Sequence, residues 1–240
     1  MSGSADLTCL SWNLAMLARS QEAPSSWTQE HVEAEVRTLL LDWSPDVVLL
    51  QELPGIVPYV ETHDMIRANP RSHSGNLAVL VGHHLLDEDV SWSVVEGCAV
   101  LTTWPDRDLT IANVHLAPGS AGTAQRLAQL QAIVEASPTD DLVILGDTNT
   151  RAAEQVAIEA MGLRAPRPPR PTWDGRRNPF NGPGGEFIAY FTRGYTAGSI
   201  GIVDQVVRTG GITVDGHSFH LSDHFALEVT VGRSEAADGT

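Results

Sequence analysis

Lysine is absent from this chain of 240 residues, and all of its fifteen basic residues are arginines. The absence excludes the phosphate-binding lysine of the P-loop, and it excludes any lysine that would form a Schiff base or act as a nucleophile. Three further signatures are missing: the G-x-S-x-G turn of serine hydrolases, the H-E-x-x-H zinc motif and paired C-x-x-C zinc ligands. Several common classes of catalytic and metal site are therefore excluded.

Long apolar runs and a secretory signal are also lacking. No stretch approaches the roughly 18 apolar residues of a membrane helix, and residues 1–7 have neither a basic region nor an apolar run. The two cysteines, Cys9 and Cys98, lie in apolar, strand-like runs, which favours reduced core thiols over a disulfide. We therefore expect a cytoplasmic protein without a membrane segment; the sequence does not indicate its oligomeric state.

Positive charge is scarce, because the formal net charge is −15. A protein that holds duplex nucleic acid usually presents a basic face, since its binding displaces counterions from the phosphates. The acidic balance predicts that tight, non-specific duplex binding is absent. It remains compatible with an enzyme that binds a few phosphates through a metal ion.

The apolar residues, 42% of the chain, indicate a globular protein. We expect one domain over residues 1–231 and a disordered polar tail over residues 232–240. Amphipathic helices are predicted over residues 27–43, with a capping box of Ser26 and Gln29, and over residues 124–136; a short helix is predicted over residues 151–161. Strands are predicted over residues 7–12, 46–50, 76–81, 90–95, 99–103, 109–114, 142–145, 202–207 and 225–231.

The order of these elements does not alternate strictly between strand and helix. It favours an α/β fold in which two sheets pack face to face and the helices lie outside them. The segment 164–183 contains six prolines and five arginines without periodicity, and it is predicted to be a long loop.

Polar side chains are concentrated where the predicted strands begin or end, and one carboxylate interrupts a strand. Because strands of a packed sheet can deliver their ends to a common edge, we expect these side chains to converge. Their carboxylate and amide oxygens are the ligands that hard cations such as Mg²⁺ prefer. They comprise Asn13, Gln51, Glu52, His115, Asp147, Asn149, Asp204, Asp223 and His224.

Six short motifs containing these residues resemble the endonuclease/exonuclease/phosphatase family in type and order. The resemblance spans residues 7–231 and implies a four-layer α/β/β/α sandwich of two mostly antiparallel sheets flanked by helices. It also implies a phosphoester hydrolase that depends on Mg²⁺ or Mn²⁺. The motifs are N-L at 13–14, L-Q-E at 50–52, N-V-H-L at 113–116, I-L-G-D-T-N at 144–149, V-D-Q-V-V at 203–207 and L-S-D-H at 221–224.

The resemblance assigns Glu52 to the metal, with Asn13 near it and Asp223 as a further carboxylate on the metal side. It also matches His115 to a histidine of the DNase-like and phosphatase branches. We therefore expect Asn13, Glu52 and Asp223 around the metal and His115 among the catalytic residues.

The same resemblance assigns Asp147 and Asn149 to the attacking water and the phosphate. It matches His224 to the histidine that faces the scissile phosphate and Asp204 to the carboxylate that orients this histidine. Hydrolysis of a phosphoester needs a water in line with the leaving oxygen and positive charge near the phosphate oxygens. Either Asp147 or His224 can serve as the general base, and the sequence does not decide between them.

The loop P-T-W-D-G-R-R-N at 171–178 is similar to the T-W-D segment of 5′-tyrosyl-DNA phosphodiesterases. Trp173 is either a stacking surface for a base or a residue that packs the loop onto the core. Arg176 and Arg177 belong to the one basic cluster of the chain, and we expect them to bind substrate beside Trp173; the alternative is that this proline- and arginine-rich loop is a surface linker.

These features favour a phosphodiesterase or nuclease that acts on nucleic-acid ends or small nucleotides. One alternative is a phosphatase or phosphodiesterase of the same family that acts on lipid or inositol phosphates. An alternative of another class is a catalytically inactive binding module.

Overall fold

The computed structural model describes residues 6–18, 20, 22–54, 60–69, 76–164, 172–174, 188–193 and 200–233. Three α-helices lie in this part of the chain: α1 (Gln29–Trp43), α2 (Thr123–Ala136) and α3 (Gln155–Ala160). The strands are β1 (Leu7–Asn13), β2 (Val47–Leu53), β3 (His63–Asn69), β4 (Asn76–Gly82), β5 (Ser91–Val95), β6 (Ala99–Trp104), β7 (Leu109–His115), β8 (Asp141–Thr150), β9 (Ile188–Arg193), β10 (Ile200–Arg208), β11 (Gly211–Val214), β12 (His217–His220) and β13 (Ala226–Arg233).

Two large sheets form the centre of the protein. The first has the strand order β10-β13-β1-β2-β4-β3, and the second has the order β5-β6-β7-β8-β9. Neighbouring strands are antiparallel except for β1 with β2 and β7 with β8, which are parallel. The predicted α/β fold of two mostly antiparallel sheets flanked by helices is confirmed.

Alternation of side chains along the strands divides the core into three apolar layers. One layer lies between the sheets and contains Cys9, Leu49 and Ile111. A second joins the first sheet to α1 through residues such as Leu50 and Val36, and a third joins the second sheet to α2 and α3. Because both faces of each central strand are covered, these strands are continuous apolar runs in the sequence.

Several details of the sequence prediction are corrected by the structure. The helix α1 is capped by Thr28, whose backbone N–H donates to His31 Nδ1 at 3.1 Å, so the predicted cap at Ser26 is wrong. Gly232 and Arg233 belong to β13, so the predicted tail begins too early; residues 234–240 lie outside the described residues. Cys9 and Cys98 are both free and buried, as predicted. Within the described chain, no helix is long and apolar enough to cross a membrane.

Candidate active site

The parallel pair β1 and β2 brings Asn13 and Glu52 to the same edge of the first sheet. Asn13 is the last residue of β1 and pairs in register with Gln51. Glu52 follows at a register shift between β2 and β4, where its φ is +52°. A non-glycine residue in this left-handed region is strained, and such strain is concentrated at functional sites. The irregularity gives Glu52 a direction that a regular strand would not provide.

In the second sheet, His115 on β7 pairs in register with Asp147 on β8. The glycine before Asp147 is required by close packing, because a Cβ on Gly146 would lie 2.1 Å from the backbone oxygen of Val114. Asn149 follows with a φ of +50°, at the register shift between β8 and β9. The G-D-x-N motif is therefore an irregular strand segment in which Gly146 permits the close approach and Asn149 is strained.

Asp147 lies at the centre of the site. Its Oδ2 accepts a hydrogen bond of 2.9 Å from Asn13 Nδ2, and its Oδ1 accepts one of 3.2 Å from the backbone N–H of Asn149. The Nε2 atoms of His115 and His224 lie 3.8 Å and 3.9 Å from Asp147 Oδ2. The two sheets thus bring the predicted residues together around one carboxylate.

Asn13 joins the two carboxylates through its amino group. Its Nδ2 donates to Glu52 Oε1 at 3.0 Å as well as to Asp147, whereas its Oδ1 accepts from the backbone N–H of Ala15 at 2.9 Å. The residues after Asn13 form a left-handed turn, with φ values of +46°, +61° and +53° at Ala15, Met16 and Leu17. Because the Ala15 N–H requires an acceptor, the amide orientation is fixed and the oxygen points away from the carboxylates. Asn13 therefore bridges the two acids as a donor, beside the carboxylates at which the cation is expected.

His115 is almost fully buried, and its Nε2 lies 3.6 Å from Glu52 Oε1. Among the described residues, no hydrogen-bond partner reaches its Nδ1. A buried ring nitrogen without a partner costs least as a bare lone pair, which places the ring proton on Nε2. The N–H of His115 then faces both Glu52 and Asp147, at distances longer than a hydrogen bond.

The pKa of Glu52 reflects the burial of its carboxyl group away from water. Burial raises the pKa of this carboxyl above its ordinary value of 4.5, and the negative charges of Asp147 and Asp223 raise it further. His115 and the hydrogen bond from Asn13 lower the pKa, but they do not reverse the shift. The ionised form of Glu52 is thus disfavoured in the fold until a positive charge joins it.

The S-D-H segment is tied to the end of β1. Ser222 Oγ donates to the backbone oxygen of Asn13 at 2.8 Å and accepts from the backbone N–H of His224 at 3.1 Å. The indole N–H of Trp12 donates to the backbone oxygen of His224 at 2.9 Å. These bonds hold the imidazole of His224 toward Asp147.

Trp173 lies beside this segment. A short antiparallel bridge pairs Trp173 with His224, and their ring centroids are 6.4 Å apart. The indole N–H of Trp173 donates to Asp223 Oδ2 at 3.0 Å. Asp223, predicted on the metal side, is thus held by an aromatic residue of the T-W-D segment.

One predicted site residue, Asp204, is not at the site, and two others lie in a part of the chain that the structure does not describe. Asp204 is exposed on β10, and its Oδ1 accepts from the backbone N–H of Gln205 at 2.7 Å, so it does not orient His224 as expected. The role of Asp204 was implied by the family resemblance; in the structure its neighbours Val203 and Val206 are also 49% and 39% exposed. Arg176 and Arg177 lie outside the described residues.

A buried polar network beneath the site was not predicted as such. Gln51 Nε2 donates to Asn113 Oδ1 at 2.8 Å across the two sheets, and Asn113 Nδ2 donates to the backbone oxygens of Leu50 and Ala78. Both residues are buried, and the network fixes the two sheets directly below Glu52. A sequence signal existed, because amides inside continuous apolar strands need partners.

These residues fit a divalent cation. Ligand atoms of Glu52, His115 and Asp147 all lie within 4.8 Å of one another, and this is the one such group of three among the described residues. The chemistry of the set, with two carboxylates and a raised pKa at Glu52, indicates a place for positive charge. Glu52 and Asp147 would hold the cation, and His115 would orient both.

The sequence is similar to a known family, and the fold is similar to that of solved structures. The model of the Endonuclease/Exonuclease/phosphatase family matches residues 10–224. No curated protein matches the sequence. The fold is similar to that of three solved structures: TDP2 from D. rerio complexed with single strand DNA product (18% identity, TM-score 0.68, covering 95% of this chain and 100% of that chain), the human Nocturnin catalytic domain with bound sulfate anion (16%, 0.59, 95% and 94%) and the endonuclease/exonuclease/phosphatase from Bacteroides vulgatus (17%, 0.62, 96% and 100%).

Proposed function

The chain belongs to the Endonuclease/Exonuclease/phosphatase family, and on that premise we propose that it is a Mg²⁺-dependent phosphodiesterase acting on nucleic-acid ends or small nucleotides. Membership of the family makes the chain a metal-dependent phosphoester hydrolase. The proposal adds the metal, the substrate class and the roles of the residues. The observation that carries it is the convergence of Asn13, His115 and His224 on Asp147, with Glu52 in the same group of possible metal ligands.

In this proposal, Glu52 and Asp147 hold the cation, and Asn13 keeps the two carboxylates at a fixed separation. When bound, a divalent ion neutralises charge on the phosphate and on the leaving oxygen. Asp147 accepts the proton of the attacking water, and Asn149 holds the phosphate. His224, whose Nε2 lies 3.9 Å from Asp147, donates to a phosphate oxygen.

The substrate class is supported by Trp173. A half-buried indole beside His224 offers an aromatic surface to the group attached to the scissile phosphate. Bases stack on such surfaces without sequence preference. A structure of similar fold, TDP2 from D. rerio, was solved with a single strand DNA product, and the charge of −15 disfavours long duplexes.

A metal-dependence assay tests the reaction class and the choice of ion. With bis-p-nitrophenyl phosphate as substrate, we expect turnover in Mg²⁺ or Mn²⁺, loss of turnover in excess chelator and recovery when Mg²⁺ is restored. Comparison of single-stranded DNA, RNA, dinucleotides, sphingomyelin and inositol phosphates tests the substrate class. Full activity in excess chelator would refute the metal assignment, and faster hydrolysis of a lipid or inositol phosphate would refute the nucleotide assignment.

Two substitutions of Trp173, each assayed on two substrates, distinguish base stacking from support of Asp223. Thymidine 5′-(p-nitrophenyl phosphate) and methyl p-nitrophenyl phosphate share a leaving group, and only the first carries a base. Trp173→Ala should raise KM for the nucleotide by about 5- to 150-fold, which corresponds to the roughly 1–3 kcal/mol of one stacked base, and should leave KM for the methyl ester unchanged.

Trp173→Phe is the matched control for the hydrogen bond to Asp223. It keeps an aromatic ring but removes the indole N–H, so we expect KM for the nucleotide to stay near the wild-type value. If both substitutions raise KM equally for the two substrates, Trp173 supports Asp223 and does not stack on a base.

A further inference from the structure

Arg126 is a charged residue buried inside the protein, away from the carboxylates of the active site. It lies on α2, its side chain is fully enclosed, and it pairs with the buried carboxylate of Glu154. Removing two charges from water costs several kcal/mol per ion, and a buried ion pair by itself is weak evidence for stability. The use of this arginine therefore requires another explanation.

All five N–H groups of the Arg126 guanidinium have an acceptor. Nε and Nη2 donate to Glu154 and Thr123, and both protons of Nη1 go to backbone oxygens, those of Ala117 at 2.8 Å and Gly119 at 2.7 Å. Glu154 thus fixes one side of the fork, and the other side holds the backbone. Lysine has three donors and no planar fork, so it cannot reproduce this set.

Gln129 supports the same backbone segment from the next turn of the helix. It lies three residues after Arg126 and hence on the same face of α2. Its Oε1 accepts from the backbone N–H of Ala117 at 2.9 Å. The β7–α2 loop, residues 116–119, is consequently held by both the carbonyl and the amide of Ala117.

This loop contacts the active site directly. The backbone N–H of Leu116 donates to the backbone oxygen of Asp147 at 2.9 Å, and its carbonyl accepts from Asn149 Nδ2 at 3.1 Å. The loop also continues directly from His115. Asn149 has a φ of +50°, and the hydrogen bond to the carbonyl of Leu116 is the contact that fixes the direction of its side-chain amide.

We propose that Arg126, together with Gln129, is a positioning residue for phosphoester hydrolysis, acting through the β7–α2 loop on Asn149. The inference rests on the hydrolytic reaction of the family and on the role proposed for Asn149, and it is independent of the substrate class. A misplacement of about 1 Å can cost about 10²-fold in rate. Removal of the fork should therefore lower kcat, whereas KM for a small diester should change little.

The test uses the full-length protein and bis-p-nitrophenyl phosphate. For Arg126→Lys we expect kcat to fall by about 10²-fold, and for Gln129→Met we expect a smaller fall in kcat. In both variants Mg²⁺ should raise Tm as much as in the wild type, because Glu52 and Asp147 are unchanged. Gln131→Met is the matched control for Gln129, because Gln131 is exposed on the same helix and bonds Glu135. Arg107→Lys is the control for Arg126, because Arg107 pairs with Glu88 through two hydrogen bonds outside the site. Both controls should retain wild-type kcat.

A double-mutant cycle with Asn149→Ala separates positioning from general destabilisation. If Arg126 and Gln129 act through Asn149, their substitutions should lower kcat little further in the Asn149→Ala background. Independent, multiplicative losses would overturn the proposal, as would wild-type kcat in a folded Gln129→Met variant. The Gln129 variants keep the test decisive if Arg126→Lys does not fold. A wild-type protein that does not hydrolyse the diester in any metal would instead refute the hydrolytic function itself.

Discussion

Glu52→Gln should nearly abolish turnover and, in the metal-free protein, should raise the free energy of unfolding at neutral pH. The substitution keeps an oxygen that can accept from Asn13 Nδ2, so the geometry is preserved. It removes a negative charge that burial makes costly, and it removes the charged ligand that a cation requires. We also expect that Mg²⁺ no longer raises Tm in the variant, because this rise measures binding to the folded state.

The pH dependence of this effect follows from the direction of the shift. The pKa of Glu52 is raised in the fold, so the stabilisation from its protonated form is complete below the unfolded value of 4.5 and is lost as pH rises through the folded pKa. Glu52→Gln should therefore gain stability over the metal-free wild type only above this window. Thermal unfolding in chelator between pH 4 and pH 8 measures the difference.

Glu88→Gln is a control for which we expect the opposite change in stability. The hydrogen bond from Arg107 lowers the pKa of Glu88, so its ionised form stabilises the fold above its unfolded pKa, and the stabilisation is lost as pH falls. Its substitution should lower stability at neutral pH and leave the Mg²⁺-induced rise in Tm intact. A Glu52→Gln variant that is no more stable than the metal-free wild type, or that still responds to Mg²⁺, would contradict the role of Glu52.

The sequence predicted the strands that are apolar on both faces, because a continuous apolar run is the pattern of a covered strand. It did not predict β3, where the run H-D-M-I-R-A-N is mixed, or β9. The hairpin of β11 and β12 was missed although a signal was present. Asp215 and Gly216 form its turn with φ values of +49° and +78°, and Asp-Gly between alternating residues favours this geometry.

In the active site, the sequence predicted the convergence of Asn13, Glu52, Asp147 and His224 because their strands end at one edge. It failed at Asp204, where the pairing of β10 with β13 shifts register between Ile202 and Asp204. Since a shift of one residue reverses the facing of a strand's side chains, the sequence of this strand could not reveal that Asp204 is exposed. The orientation of the Asn13 amide was equally inaccessible, because it depends on a backbone N–H in a left-handed turn.

Asp147→Asn should lower kcat by about 10²–10⁴-fold, the range for loss of a general base, without unfolding the protein. The carboxylate accepts from Asn13 Nδ2 and from the backbone N–H of Asn149, and both are donors. The single oxygen of an asparagine can satisfy only one of them, so the substitution removes the base, removes a charged ligand of the proposed cation and misaligns one bond. Asp46→Asn is a matched control. Asp46, which directly precedes β2, also accepts a hydrogen bond from a backbone N–H, that of Thr8, at 2.7 Å, and its carboxylate lies 2.9 Å from Nε2 of His84. It should retain wild-type kcat.

Substrates with different leaving groups distinguish which of Asp147 and His224 is the general base and which protonates the leaving oxygen. A p-nitrophenolate leaves without protonation, whereas the alkoxide of a dinucleotide needs a proton. A base that activates water is required in both cases, so Asp147→Asn should lose a similar factor on both substrates. A group that protonates the leaving oxygen matters only for the alkoxide, so a loss confined to the dinucleotide would assign Asp147 as the acid. If His224→Ala then lost equally on both substrates, the general base would be His224, whose Nε2 lies 3.9 Å from Asp147.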